Sequence, residues 1–244
     1  SLPTATLVIS EAHAVNAGSG LTQSGAPQHL FLWHRSGIAF HGFVGEMLPL
    51  ALILLGVLGV FTVLAFPARP IDTHEDIAPP PLTRRLLWSS LALYPVFIVL
   101  LDLHRPGWAL AVVAGVLLIG FRRVVFQVDW ALIVVFVLMF IDLRLLAEQP
   151  WIRAAVDAIG LADPTRLYWS GVLISQLISN VPAAILLAEH SGHWRVIAYA
   201  VNVGGVGFVL GSLANLIALR LLGDKRAWWS FHAYSLPFLA VSAT

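Results

Sequence analysis

Two stretches decide the fold of this chain: NAGSGLTQSGAPQHLF at residues 16–31 and NVGGVGFVLGSLANLI at residues 202–217. They align at a constant offset of 186 residues, pairing Asn16 with Asn202, Gly18 with Gly204, Gly25 with Gly211, Leu30 with Leu216 and Phe31 with Ile217. The phase continues, with small gaps, into Phe40-His41 followed by Leu48-Pro49 and Phe231-His232 followed by Leu236-Pro237. Glycine-broken polar stretches that recur in the two halves of an apolar chain point to the substrate site of a secondary transporter.

Composition sets the class. Apolar residues make up 59% of the chain and charged residues 11%, with a mean hydropathy of +0.85. Soluble domains carry about 25% charged residues, so polar surface here is too scarce to cover a water-facing fold and lipid is the expected solvent. The absence of cysteine excludes disulfides, thiolate metal sites and thiol catalysis. A net charge of +1 gives no basis for nucleic-acid binding, and nine Trp and thirteen Phe suit aromatic belts at membrane interfaces.

Working outward from the repeat, residues 43–66 form the clearest span, long enough for a hydrocarbon core of about 30 Å. Residues 67–85 read as a Pro-rich linker, with Pro79-Pro80-Pro81 followed by Arg84-Arg85. Residues 86–128 hold connecting spans at 86–103, with Pro95 inside, and at 108–121. Arg69, Arg84, Arg85, Arg122 and Arg123 fall at the ends facing away from the turn at Arg105, which makes the linker and the Arg122-Arg123 loop cytoplasmic by the positive-inside rule.

Residues 129–147 begin apolar and then meet Asp142 and Arg144. Two readings stay open: an apolar core ending near Ile141 with an Arg144–Glu148 pair at the interface, or an ion relay through Asp142. Residues 168–189 carry Ser175, Gln176, Ser179, Asn180 and Pro182 in their middle. Proline removes a backbone donor and biases its predecessor away from helix, so two half-helices are expected to meet at residues 179–182 as a re-entrant hairpin. Broken backbone at membrane depth is tolerated only inside protein or beside a wet cavity. Residues 194–222 form a long apolar segment broken by Asn202, Gly204, Gly205, Gly207, Gly211, Ser212 and Asn215.

Unwound carbonyls and half-helix C-termini can hold a cation, and half-helix N-termini offer N–H groups to an anion. Ser179, Asn180 and Pro182 stand at one break, and Asn202, Gly204, Gly211, Ser212 and Asn215 at another. The N-terminal counterpart supplies Asn16, Ser19, Thr22, Ser24, Gly25 and Gln28. Their oxygen and amide groups suit Na⁺ and oxyanions better than soft metals. Glycines and small polar residues also serve helix packing in membranes, but packing glycines need not recur in register with Asn and a following Phe-His. His190 and His193 lack a third ligand and read as a solvated loop. His13 stands near the first break as a proton-coupling candidate, and His41 and His232 hold structural, interface-like positions.

At these residues the sequence resembles the ion transporter superfamily of divalent-anion/sodium symporters, citrate transporters and arsenite permeases, in its anion transporter branch. The motifs carrying the resemblance are SQLISNVPAA (175–184), GSLANLI (211–217) and NAGSGLTQSGAPQHLF (16–31). It implies an all-α polytopic membrane protein, an inverted-repeat secondary transporter with a re-entrant hairpin and broken helices, frequently dimeric. It further implies Na⁺ near Ser179, Asn180 and Gly211, flanking a small anionic solute between the repeats, with Thr22–Gln28 as the first unwound segment.

On this reading residues 1–66 are the C-terminal part of the first repeat and 129–244 the second, comprising the hairpin at 168–189, the broken helix at 194–222 and a shortened last span. Seventy-three residues separate Asp129 from Asn202 but only 15 precede Asn16, so the chain is expected to be a piece of a longer protein. The expected function is secondary transport of a dicarboxylate or inorganic oxyanion across the inner membrane, with no cofactor and with Na⁺ or H⁺ as coupling ion. Alternatives are an arsenite- or Na⁺/H⁺-type exporter and a transport-inactive membrane scaffold. An intramembrane enzyme is disfavoured, since no span carries a paired-Asp, Gly-x-Ser-x-Gly or His-Glu-x-x-His arrangement.

Overall fold

The structure, a computed structural model, describes residues 4–66, 83–223 and 227–244. Among these residues the chain folds into twelve α-helices. It divides into two compact units, one of residues 1–67 and 136–244, the other of residues 68–135.

In the larger unit, α1 (Thr4–Ser19) and α2 (Pro27–Ser36) are separated by a turn at residues 20–26, and α3 (Phe40–Ala65) follows after Gly37. Gly37 takes φ 67°, the left-handed conformation that ends α2 without a Cβ penalty. At 26 residues α3 is about 39 Å long, enough to cross a bilayer, and Pro49 lies within it.

In the smaller unit α4 (Arg84–Asp102) and α5 (Pro106–Phe126) pack as a helical pair, with the Arg85 guanidinium 5.5 Å from the Phe121 ring centroid. The expected short span at 108–121 is longer than its apolar core suggests. Helix α5 bends at Phe121 (φ −144°, ψ 38°) and resumes through Arg122 and Arg123, so these arginines are helical rather than in a loop. The expected linker at residues 67–85 lies outside the described residues up to 82, and Arg84 and Arg85 open α4.

α6 (Trp130–Ala147) leads to α7 (Pro150–Ile159) and then to the paired helices α8 (Pro164–Ile178) and α9 (Asn180–His190). Among the described residues Arg144 and Glu148 form no ion pair, and Asp142 and Arg144 are exposed on α6. The break between α8 and α9 is narrower than expected. It is the single residue Ser179, at φ 76° and ψ 156°. Pro182 sits in the first turn of α9, where a missing N–H goes unused by the helix. At 15 and 11 residues these helices are about 22 and 16 Å long, each too short to cross a 30 Å core.

α10 (Trp194–Gly205) packs along α8 and ends in a break at residues 206–212 that contains a 3-10 turn. α11 (Leu213–Leu222) continues, and α12 (Ala227–Ala243) carries Pro237 internally as α3 carries Pro49. Each copy of the duplicated stretch is thus a helix, a seven-residue break and a ten-residue helix, followed by a proline-bearing helix.

Helices α3, α4, α5 and α6 are each long and apolar enough to span a membrane. Their outer surfaces carry large apolar side chains, Leu64 at 79% and Ile119 at 91% exposure. Apolar surface on this scale needs lipid around it.

Candidate functional site

The polar core gathers where the two breaks lie. At the second break Asn16, from the last turn of α1, inserts its amide beside α11. Its Nδ2 donates to Asn215 Oδ1 at 2.9 Å and to Gly205 O at 3.3 Å, and its Oδ1 accepts from Ser212 Oγ at 2.8 Å. Asn215 in turn donates from Nδ2 to Gly205 O at 2.8 Å and to Phe208 O at 3.1 Å. Ser212 also caps α11, accepting from Ala214 N–H at 3.2 Å. The side chains of Asn16, Ser212 and Asn215 are all buried, and a buried polar group is costly unless bonded, so this network fixes the carbonyls freed by the broken helix.

The second break is held from the hairpin side by Gln176 of α8. Its Nε2 donates to Gly204 O at 2.6 Å and Val172 O at 2.9 Å, and its Oε1 accepts from Phe208 N–H at 2.7 Å. One side chain therefore satisfies a carbonyl and an N–H that helical pairing has released. The approach is too close for a side chain at 207: a Cβ there would collide with Gln176 Oε1. Asn180, at the start of α9, abuts the same turn, since a Cβ on Gly205 would lie 2.8 Å from its Nδ2. The Ser179 hydroxyl reaches Asn180 Oδ1 at 3.4 Å.

At the first break the partners are exchanged. Asn202, near the end of α10, donates from Nδ2 to His29 Nε2 of α2 at 2.5 Å and to Ala198 O at 2.7 Å. His29 Nδ1 bonds Ser19 O at 3.1 Å, and Ser19 Oγ donates to Asn16 O at 3.1 Å. Shifting by the repeat offset turns Asn16 into Asn202, His29 into Asn215 and Ser19 into Gly205. Hence the Asn16–Asn215 contact corresponds to Asn202–His29, and Asn215–Gly205 O corresponds to His29–Ser19 O. The glycines match too. A Cβ on Gly25 would run into Ser19 O, and a Cβ on Gly211 would stand 2.7 Å from Gly204 O. The first break closes onto the carbonyl of Ser19, which ends α1, and the second onto that of Gly204, one residue before the end of α10, approaches that only glycine permits.

Of the residues singled out by sequence, the structure brings together Asn16, Ser212, Asn215, Gly204 and Gly211 at the second break, with Asn180 and Ser179 beside them. Asn202 and Ser19 are linked through His29 at the first break, where Gly25 closes the turn. Gln28 is helical rather than unwound, the second residue of α2, and buried with its Oε1 unpartnered. Thr22 lies in the turn half-buried, Ser24 is exposed there, and Pro182 is held within α9. His13 is fully buried among Phe231, Tyr234 and Phe238, its Nδ1 on Ile9 O at 2.7 Å and its ring beside the backbone of Val206, where the second break begins. His41 and His232 are not equivalent: His41 is exposed, and His232 is buried against Trp228 and Phe208. Gln176 and Gly205, read from sequence only as interruptions, and His29, quoted only within the first motif, are the site residues not singled out as ligands, although His29 stands in register with Asn215.

The comparisons fit this architecture. Residues 1–204 match the model of the citrate transporter family. The chain is 42% identical over 99% of its length to inner membrane protein YbiR of Escherichia coli K12, and spans 65% of that protein. It is 32% identical over 88% of its length to an uncharacterized transporter of Methanocaldococcus jannaschii, spanning 58% of it. An uncharacterized transporter of Mycobacterium tuberculosis is 24% identical over 99% of the chain and 66% of its own length. No solved structure matches. The chain spans less than two thirds of the first two relatives, and with its apolar spanning helices it is part of a multi-pass protein of the cell membrane. It belongs to the citrate transporter family.

Proposed function

We propose that the protein containing this chain is a secondary active transporter that moves a small anion, a dicarboxylate or an inorganic oxyanion, in exchange for energy from a Na⁺ or H⁺ gradient. The observation that carries this reading is the exchange of partners between the two breaks. Each helix-ending Asn is held by the other half's short helix, with contacts that interconvert under one sequence offset. That is the pattern expected of two inverted repeats facing each other across a site near mid-membrane. The breaks take carbonyls and helix N-termini of opposite polarity out of regular helix pairing, so a cation and an anion can be bound by one assembly of backbone groups. Candidate ligands are Asn16, Ser179, Asn180, Gly204, Gly211, Ser212 and Asn215 at the second break, with Ser19, Gly25, Gln28 and Asn202 at the first. The family description and the transporter names of relatives support transport over catalysis.

The test is uptake into proteoliposomes by the full-length protein, with succinate, citrate, phosphate, sulfate and arsenite offered under inward Na⁺ or H⁺ gradients. Gradient-driven uptake of one anion, lost on replacing Asn16 and Asn215 together by Ala, is the expected outcome. Uptake unchanged in that variant would move the site elsewhere in the protein.

A further inference from the structure

The two breaks differ in how their helix-ending asparagine is held. At the second break Asn16 is gripped on both sides of its amide: the nitrogen by Asn215 and Gly205 O, the oxygen by the Ser212 hydroxyl. At the first break position 26 corresponds to Ser212. Ala26 and Ser212 share the same N-cap backbone, φ −153° and ψ 150° against φ −151° and ψ 145°, but alanine has no hydroxyl to offer Asn202.

The contacts of Asn202 Nδ2 determine the state of His29. An atom 2.7 Å from Ala198 O must be the amide nitrogen, because an oxygen there would face another oxygen. The His29 Nε2 at 2.5 Å is then the acceptor, and the ring proton sits on Nδ1, facing Ser19 O. His29 is fully buried, with the Phe43 ring at 6.0 Å. With the nitrogen so directed, the Asn202 carbonyl points to the first break, where a Cβ on Gly20 would stand 3.2 Å from Oδ1.

We propose that His29 is a positioning residue of the transport site: as a hydrogen-bond acceptor it turns the Asn202 amide so that its carbonyl oxygen faces the first break. This rests on the transport reading above and adds a named residue to it. What position 29 must supply is an acceptor, not a charge, because its counterpart Asn215 does the same for Asn16 with an amide oxygen. Asparagine at 29 meets that demand and leucine, of comparable bulk, does not. A serine at position 26 would orient the amide from its other side, as Ser212 does for Asn16.

The experiment measures initial uptake rates of the full-length protein in proteoliposomes for the same five anions. Wild type is compared with His29→Asn, His29→Leu and the double variant His29→Leu/Ala26→Ser, at matched amounts of monodisperse reconstituted protein. His29→Leu is expected to lose about tenfold or more in kcat/KM, equivalent to roughly 1.4 kcal/mol of lost orientation. His29→Asn keeps most of the rate, and the double variant recovers part of what His29→Leu loses. A His29→Leu variant as active as wild type overturns the proposal, as does a His29→Asn variant as impaired as His29→Leu. Wild type that moves none of the anions under either gradient overturns the transport reading itself, and the proposal with it.

Discussion

Ser179 is held at φ 76° and ψ 156°, a region that essentially only glycine occupies without strain. A serine there stores on the order of 1–3 kcal/mol, retained at the tip where α8 hands over to α9. Ser179→Gly is therefore expected to raise stability by about 1 kcal/mol, read as a higher Tm in detergent, while removing the hydroxyl from the tip. An unchanged or lower Tm would mean the tip is relaxed. Ala26→Ser tests the opposite end of the scale: it adds the missing cap to α2 in a backbone already shaped for one, and is expected to stabilise by about 1 kcal/mol. A loss of Tm would show that no hydroxyl fits there. At this scale the sequence was readable only in part. Asn16, Ser212 and Asn215 were legible because they recur or follow a glycine break. His29 was not, because its counterpart is an asparagine and a lone histidine on a short helix carries no pattern until its partner is seen.

Between elements, the second break is tied to the hairpin by one side chain. Gln176→Leu keeps the volume but leaves Phe208 N–H without its partner and Gly204 O with only the long 3.4 Å bond from Gly207 N–H. An orphaned buried group costs about 1–3 kcal/mol, so a loss of that size is expected in denaturant unfolding. A loss under 1 kcal/mol would contradict the clamp. Helix and break positions were legible wherever glycine or a polar run interrupted apolar sequence, as at residues 206–212. Pro182 misled at its own scale. Proline breaks a helix from its interior, but α9 starts two residues before it, and there proline is compatible with the first turn. Arg122 and Arg123 misled for a related reason: charge usually ends a span, yet α5 bends at Phe121 and continues through both.

At the scale of the whole molecule, four helices among the described residues meet the length and apolarity a bilayer demands, and composition alone announced a membrane protein. The duplicated stretch foretold two helix–break–helix units, and both are present with their breaks at the same offset. What periodicity could not give is the crossing of partners, since hydrogen bonds between residues 16 and 215 or 29 and 202 depend on how the two copies of the repeat pack within the larger unit. The central claim is that both breaks form one transport site, closed by glycines that tolerate no Cβ. The most direct measurement is gradient-driven anion uptake by the full-length protein carrying Gly25→Ala or Gly211→Ala, beside Gly59→Ala, a glycine of α3 with open space around it. The account predicts that both break variants abolish uptake, although they lie 186 residues apart, and that Gly59→Ala transports like wild type. Full uptake by either break variant, or no uptake of any anion by wild type, would contradict it.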